Sequence, residues 1–510
     1  MQRRQFLTGI AGLSGLMTGP GRAAAQIFSA GLPSQIVDLS ASELSLAIRM
    51  KLLSSEEVMS AYLAHIHRYN PTYNAIVALV EDDILLAQAR SADKNLAKGI
   101  YHGWMHGMPH AVKDLEAVAG LPVSYGSPIF KDHIADADDP LPARIRRTGA
   151  IFIGKTNTPE FGLGSQSYNP VYGVTGSAWD PELTAGGSSG GAASGLGTHM
   201  LPVADGSDMM GSLRNPGAFN NVIGFRPSAG LMGGADPFSR PLATSGPMGR
   251  NTQDTVRLLH TIASAPGLDA PRALHGALKA DGEHPSLDLS GVRLAWLGDF
   301  DGYLAMQPGI LPLCEMALSR LVDAGSIVES TSPAFELTDL WTCWLTLRNL
   351  SRVRMRDWYE NPQTRVLLKP ELQWEIEQSY ALSAADIHAA NNTRSRWYTE
   401  VNRLFESYDF LVLPTAQVFP FAKTIHWPES IDGMPMDTYH RWMEVVIPGS
   451  LAGLPVVNIP AGFDAKGRPM GMQVMGRFGD DSRVLAFAAA YEGVNDFLAR
   501  RPVLVERGSA

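Results

Sequence analysis

Four stretches of the 510-residue chain hold more glycine and small hydroxyl residues than packing needs: Gly107 to Asp114 (GMPHAVKD), Gly154 to Gly162 (GKTNTPEFG), Gly186 to Ser194 (GGSSGGAAS) and Gly206 to Arg214 (GSDMMGSLR). Glycine permits close backbone approach and positive φ, so the run from Gly186 to Gly191 offers hydroxyls and bare amides to something small. A flexible Gly/Ser linker has the same composition, but here Ala192-Ala193 start an apolar helix at once. The chemistry on offer is attack by a serine hydroxyl, which is a poor nucleophile until a base removes its proton.

Two other chemistries fit less well. Gly149 to Thr156 (GAIFIGKT) satisfies the pattern of a phosphate-binding loop. In a true loop of that kind the intervening residues form a backbone cradle and the threonine opens a helix. Here they are Ala-Ile-Phe-Ile, which reads as a strand, and Pro159 discourages a helix soon after. Thirteen histidines are present, but no nucleophile elbow stands ahead of partners in a plausible order for a histidine-based triad.

Taken together the four segments resemble the amidase signature family, in which a Lys in G-x-P-x-x-x-K-D, a Ser in GGSSGG and a Ser 24 positions later in G-[ST]-D-x-x-G-S form the catalytic set. These fall on Lys113, Ser188 and Ser212. The resemblance continues through Asn157, Glu160 and Phe161, Trp179-Asp180-Pro181, Gly224 to Ser228, Gly246 to Met248, Gly453 to Pro455 and Pro460 to Gly462, and is weakest from about Gly267 to Phe410. It implies amide hydrolysis through a serine acyl-enzyme, with no metal and no cofactor. Lys113 accepts a proton near pH 7 only if burial lowers its pKa, and its flanks Ala111-Val112 and Leu115 suit burial. Ser188 then bridges, passing the proton from Ser212 to Lys113; Ser189 is its nearest competitor, separated by spacing alone. Backbone N–H groups of Met209, Met210, Gly211 and Ser212 are the expected oxyanion donors. Family members usually carry two glycines before the nucleophile, and Met210 departs from that. Asp208 and Arg214 are assigned to holding the loop. Gly187 and His110 are candidate substrate contacts, with a structural role favoured for His110.

The elements that must position these residues follow from periodicity. Leu44, Ala47, Ile48, Leu52, then Val58, Tyr62, Leu63 and Ile66 recur at helical spacing, and Ser40 with Glu43 and Ser54 with Glu57 form capping boxes that start two helices. Ala150 to Ile153, Val222 to Phe225, Phe410 to Leu413 and Val456 to Ile459 read as buried strands, while Thr252 to Ala263 and Glu371 to Leu404 read as helices. Alternating strands and helices argue an α/β architecture. The family resemblance specifies it as a single large domain, a mixed β-sheet covered by helices on both faces. No internal repeat or linker divides it, and the Gly/Pro-rich stretch from Ala263 to Leu289 reads as a surface excursion.

Arg3-Arg4, the apolar stretch from Phe6 to Met17 and Arg22-Ala23-Ala24-Ala25 form a twin-arginine export signal with cleavage after Ala25, leaving 26–510 as the enzyme domain and a periplasmic or secreted location. That stretch is too short to span a membrane, so no membrane insertion is expected after cleavage. The formal charge of −9 becomes more negative once Arg3, Arg4 and Arg22 are lost, which leaves no footprint for nucleic acid. Two cysteines, Cys314 and Cys343, exclude a disulfide scaffold and read as buried thiols. The expected partner is therefore a small-molecule amide, with homodimer formation left open. Seven of the ten tryptophans (Trp341, Trp344, Trp358, Trp374, Trp397, Trp427 and Trp442) lie between 341 and 442. Clustered beside the catalytic serines they would favour an apolar or aryl group, with Trp442 the first candidate for the pocket wall; equally they could only fill helix contacts. Two other readings are a glutaminase subunit of a tRNA-dependent amidotransferase, against which the export signal argues, and a silent binding protein, against which the complete set of Ser and Lys argues.

Overall fold

The computed structural model describes residues 35–233, 242–263 and 286–506. The proposed export signal and most of the Gly/Pro-rich excursion lie outside them. Both capping boxes form: Ser40 accepts from Glu43 N–H at the start of α1 (Ala41–Arg49) and Ser54 from Glu57 N–H at the start of α2 (Ser55–Tyr73), each glutamate reaching back to the capping amide.

The strands sort into two main sheets. A three-stranded sheet has the order β1 (Ile76–Val77), β3 (Ile151–Thr156), β2 (Pro109–Lys113), with β2 and β3 parallel and β1 antiparallel to β3. The larger sheet has eight strands. They are β4 (Val203–Asp208), β5 (Ile223–Arg226), β6 (Thr244–Gly249), β7 (Arg293–Trp296), β8 (Ile327–Ser330), β9 (Phe410–Pro414), β10 (Val456–Phe463) and β11 (Pro469–Met475). Their spatial order is β8-β7-β9-β11-β10-β5-β6-β4. The β8–β7 and β7–β9 pairings are parallel, and the remaining ones are antiparallel. The sheet is thus mixed, as expected. The strand expected at Ala150 to Ile153 belongs to the smaller sheet, and Thr156 ends that strand without opening a helix, so the phosphate-loop pattern has no such structure here.

Four helices matter for the site. α3 (Gly190–Gly197) follows the GGSS run, and α4 (Arg214–Asn220) follows the Gly206 to Arg214 stretch. α5 (Leu337–Leu350) and α6 (Pro370–Tyr380) lie in the stretch of weakest resemblance. The single helical pattern expected from Glu371 to Leu404 is broken. After α6, Ser383 caps a new helix, α7 (Ala384–Ser407), through a box with Asp386. A local acceptor for orphan amides outweighs continuous periodicity there. Cys314 and Cys343 are buried free thiols.

Candidate active site

β2 delivers Lys113 to its C-terminal end with the side chain fully enclosed, 1% exposed. Its Nζ donates to Ser188 Oγ at 2.8 Å, to Ser189 Oγ at 2.8 Å and to Ser207 Oγ at 3.0 Å. Burial lowers the lysine pKa to about 7, against the opposing pull of Asp205, Asp208 and Glu116. Asp205, on β4, holds the strand in place: its carboxylate accepts from Lys113 N–H at 3.2 Å and from His110 Nε2 at 2.9 Å. His110 is therefore buried and engaged with Asp205.

The two serines of the GGSS run differ. Ser189 Oγ donates to Ser207 O (3.4 Å) and accepts from Ser207 N–H (3.3 Å) as well as from Lys113. Ser188 Oγ has Lys113 as its hydrogen-bond partner among the described residues, so its own hydrogen is available. Gly162 takes φ +70, and a Cβ there would stand 3.4 Å from Ser188 Oγ and 3.0 Å from Leu115 Cδ1, so glycine keeps the space beside Ser188 open. Gly187, expected at the substrate, has its N–H on Ser165 Oγ (3.3 Å) and its carbonyl accepting from the same hydroxyl (2.7 Å). Its polar groups hold the loop.

Ser212 sits at the end of the β4 loop, 7% exposed. The two serine loops are joined by Ser189 N–H donating to Ser212 O at 3.2 Å. No hydrogen bond among the described residues joins the Ser212 hydroxyl to Ser188 or Lys113. The loop is fastened by Asp208, whose carboxylate accepts from Gly211 N–H (3.0 Å), Leu213 N–H (3.2 Å) and the Arg214 guanidinium (2.9 and 3.0 Å). Burial alone would raise the Asp208 pKa, but Arg214 and Arg226 outweigh it and hold the carboxyl well below the ordinary range. Arg214 in turn reaches Val446 O, Gln473 and Ser450. Asp208 and Arg214 are thus bonded to each other and to both ends of the loop's neighbourhood. Gly211 is a correction: its amide is committed to Asp208, which leaves Met209, Met210 and Ser212 as the open donors of that run. Met210 projects into the large core.

Trp442 differs from the expectation of a pocket wall. It is 1% exposed in the large core, its Nε1 donating to Tyr439 O (3.0 Å) and its ring edge-on to Phe421. A separate aromatic group is built around the residue that precedes Gly162. Phe161, adjacent to Gly162, stacks on Trp358 (5.1 Å) and Tyr125 (6.4 Å), and Phe130 meets Trp358 edge-on at 5.5 Å. All four are half-buried. Phe161 and Ser207 stood in sequence motifs and Trp358 in the tryptophan-rich stretch; Tyr125 and Phe130 carried no signal that singled them out.

Among the described residues no cluster of His, Cys, Asp and Glu is arranged to hold a metal ion.

The family model described as Amidase matches residues 57–485. An acylamidase of Rhodococcus erythropolis is 30% identical over 91% of this chain and 97% of its own. A glutamyl-tRNA(Gln) amidotransferase subunit from Symbiobacterium thermophilum is 33% identical over 92% and 99%. Among solved structures, a bacterial aryl acylamidase superposes with a TM-score of 0.80 at 24% identity, covering 91% of this chain and 99% of that one. A 6-aminohexanoate cyclic dimer hydrolase does so at 0.77 and 23%, covering 92% and 99%. A family model across most of the chain, relatives near 30% identity along almost their whole length, and the same fold place this chain in the amidase signature family of amide-hydrolysing enzymes.

Proposed function

We propose that the chain hydrolyses an apolar or aryl carboxylic amide through an acyl-enzyme on Ser212, with Ser188 and Lys113 moving the proton. The observation that carries this is the enclosed Lys113 Nζ, 2.8 Å from Ser188 Oγ, with its pKa lowered to about 7. In its neutral form the amine accepts the Ser188 proton while Ser188 takes that of Ser212. The Ser212 oxygen bonds to the carbonyl carbon, and the charge forming on the carbonyl oxygen faces the free amides of Met209, Met210 and Ser212. Collapse breaks the C–N bond, and the proton returns through Ser188 to the departing amine. Water then attacks the ester by the same relay, releasing the acid and restoring Ser212.

The half-buried group of Tyr125, Phe130, Phe161 and Trp358, which includes the residue preceding Gly162, supports an apolar or aromatic substrate group. Acylamidase and aryl acylamidase among the similar proteins agree with that class. Comparing kcat/KM for benzoyl or aryl amides with acetamide tests it: a preference above about tenfold, roughly 1.4 kcal/mol, is expected, and a smaller one removes the aryl reading.

A second reading, glutamine hydrolysis as part of an amidotransferase, is favoured by the 33% identity to a protein of that kind. Ammonia release from glutamine exceeding aryl amide turnover would establish it. The sequence pattern of Arg3-Arg4 followed by the apolar Phe6 to Met17 stretch supports an exported enzyme, with cell fractionation as its test; among the described residues no helix is long and apolar enough to cross a membrane.

A further inference from the structure

The loop before Ser212 is held unevenly. Its second half is fastened by Asp208, which takes the Gly211 and Leu213 amides. Its first half, Met209 and Met210, has no hydrogen bond on its backbone amides among the described residues, as donors to an oxyanion require. Free amides hold their direction only if something else fixes the chain. Where the family pattern has glycine, this chain has Met210, whose side chain is anchored in the core at 5% exposure. The Met209 side chain is half-buried and meets Arg348, whose Nη1 lies 2.8 Å from the thioether sulfur.

Arg348 is unusually well fixed. It is carried on α5, 5% exposed, with Nε donating to Glu375 Oε1 on α6 at 2.8 Å and Nη2 donating to Tyr439 Oη at 3.0 Å. Glu375 is fully buried and is held on its other oxygen by Arg352 Nε at 2.6 Å. A planar guanidinium tied on two sides cannot pivot, so its third side presents a rigid surface. A thioether is a weak acceptor, so this contact contributes placement more than binding energy. Tyr439 also lies against Gly164, two residues from the glycine that opens space beside Ser188.

We infer that Arg348 is a positioning residue for the oxyanion donors: set by Glu375 and Tyr439, it fixes Met209 and so aims the Met209 and Met210 amides at the site. This rests on the proposed role of Ser212. It gives the helices of the weakest family match a part in catalysis through the loop they touch.

Full-length Arg348→Lys, Met209→Ala and the double variant are compared with the parent. Lysine keeps a cation beside Glu375, but a single ammonium cannot also reach Tyr439 and Met209. Each single substitution is expected to lower kcat on an aryl amide about tenfold with KM within about threefold, because misaimed donors weaken only the transition state. The rate of fluorophosphonate labelling at Ser212 falls in parallel. The double variant is expected to lose about tenfold, not about a hundredfold, since both substitutions break one link. Unchanged kcat in the single variants, or losses that multiply, overturns the role of Arg348. If Arg348→Lys does not fold, Met209→Ala alone decides, and an unchanged kcat there overturns it. Failure of the parent itself to label at Ser212 removes the underlying assignment and this inference together, whereas a labelled parent with unchanged variants removes the inference alone.

Discussion

An ammonium taken out of water favours losing its proton, and at Lys113 burial outweighs the nearby carboxylates of Asp205, Asp208 and Glu116, bringing its pKa down to about 7. The direction of that shift sets the expected pH dependence. The protonated amine cannot accept the Ser188 proton, so kcat/KM falls about tenfold per pH unit below 7 and levels off above it; a profile flat from about pH 5 to 8 contradicts the assignment. Lys113→Ala is expected to lose roughly 10²-fold or more at neutral pH. Ser188→Ala is expected to cost more than Ser189→Ala, because the Ser189 hydroxyl is engaged by Ser207 and Ser188 has its hydrogen free. Steady-state rates of the two variants decide between them. The sequence motifs located Lys113 and both serines, and spacing favoured Ser188, but the physical ground for that choice lay elsewhere: the two hydroxyls are the same distance from Nζ, and only the Ser207 contacts distinguish them.

At the scale of elements, strand β4 and helix α4 hold the loop between them through the Asp208–Arg214 pair, both side chains at 0% exposure. Removing Arg214 leaves the buried Asp208 carboxylate with only the longer Arg226 contact, 3.3 Å, so Arg214→Met is expected to destabilise the protein by about 3–5 kcal/mol in denaturant unfolding; a loss under about 1 kcal/mol contradicts this view of the loop. Ring contacts join the Tyr125 and Phe161 loops to Trp358. On the proposed aryl reading, Trp358→Ala is expected to reduce kcat/KM for aryl amides about tenfold and leave acetamide within about twofold, because only the larger group would reach the ring. Equal losses on both substrates would mean that Trp358 supports the fold instead. Local signals were readable where chemistry is local: both capping boxes predicted helix starts that the structure contains. The helix break between Tyr380 and Ala384 was missed because Ser383 and Asp386 lie inside a periodic stretch. Trp442 was misplaced because hydrophobicity alone does not separate a core ring from one lining a pocket, and its buried N–H finds a local carbonyl.

Across the whole molecule, the smaller sheet carries the lysine, the edge of the larger one carries Asp205, Ser207 and Asp208, and the serines occupy the glycine-rich loops between them. Identity, order and spacing of the motifs were enough to read the family and the mixed α/β fold. They could not reveal that the sheet carrying Lys113 is separate, since strand pairing is set by contacts far apart in sequence. The mechanism stands or falls on Ser212 taking up the acyl group, and covalent labelling bears on that step without intermediaries. The full-length enzyme is treated with a fluorophosphonate, its intact mass taken, and the modified peptide sequenced, with Ser212→Ala as control. One adduct per chain is expected, located on Ser212, with complete loss of amide hydrolysis on labelling, and neither adduct nor turnover in Ser212→Ala. An adduct on Ser188 or Ser189, or more than a trace of amidase activity in Ser212→Ala, would contradict it.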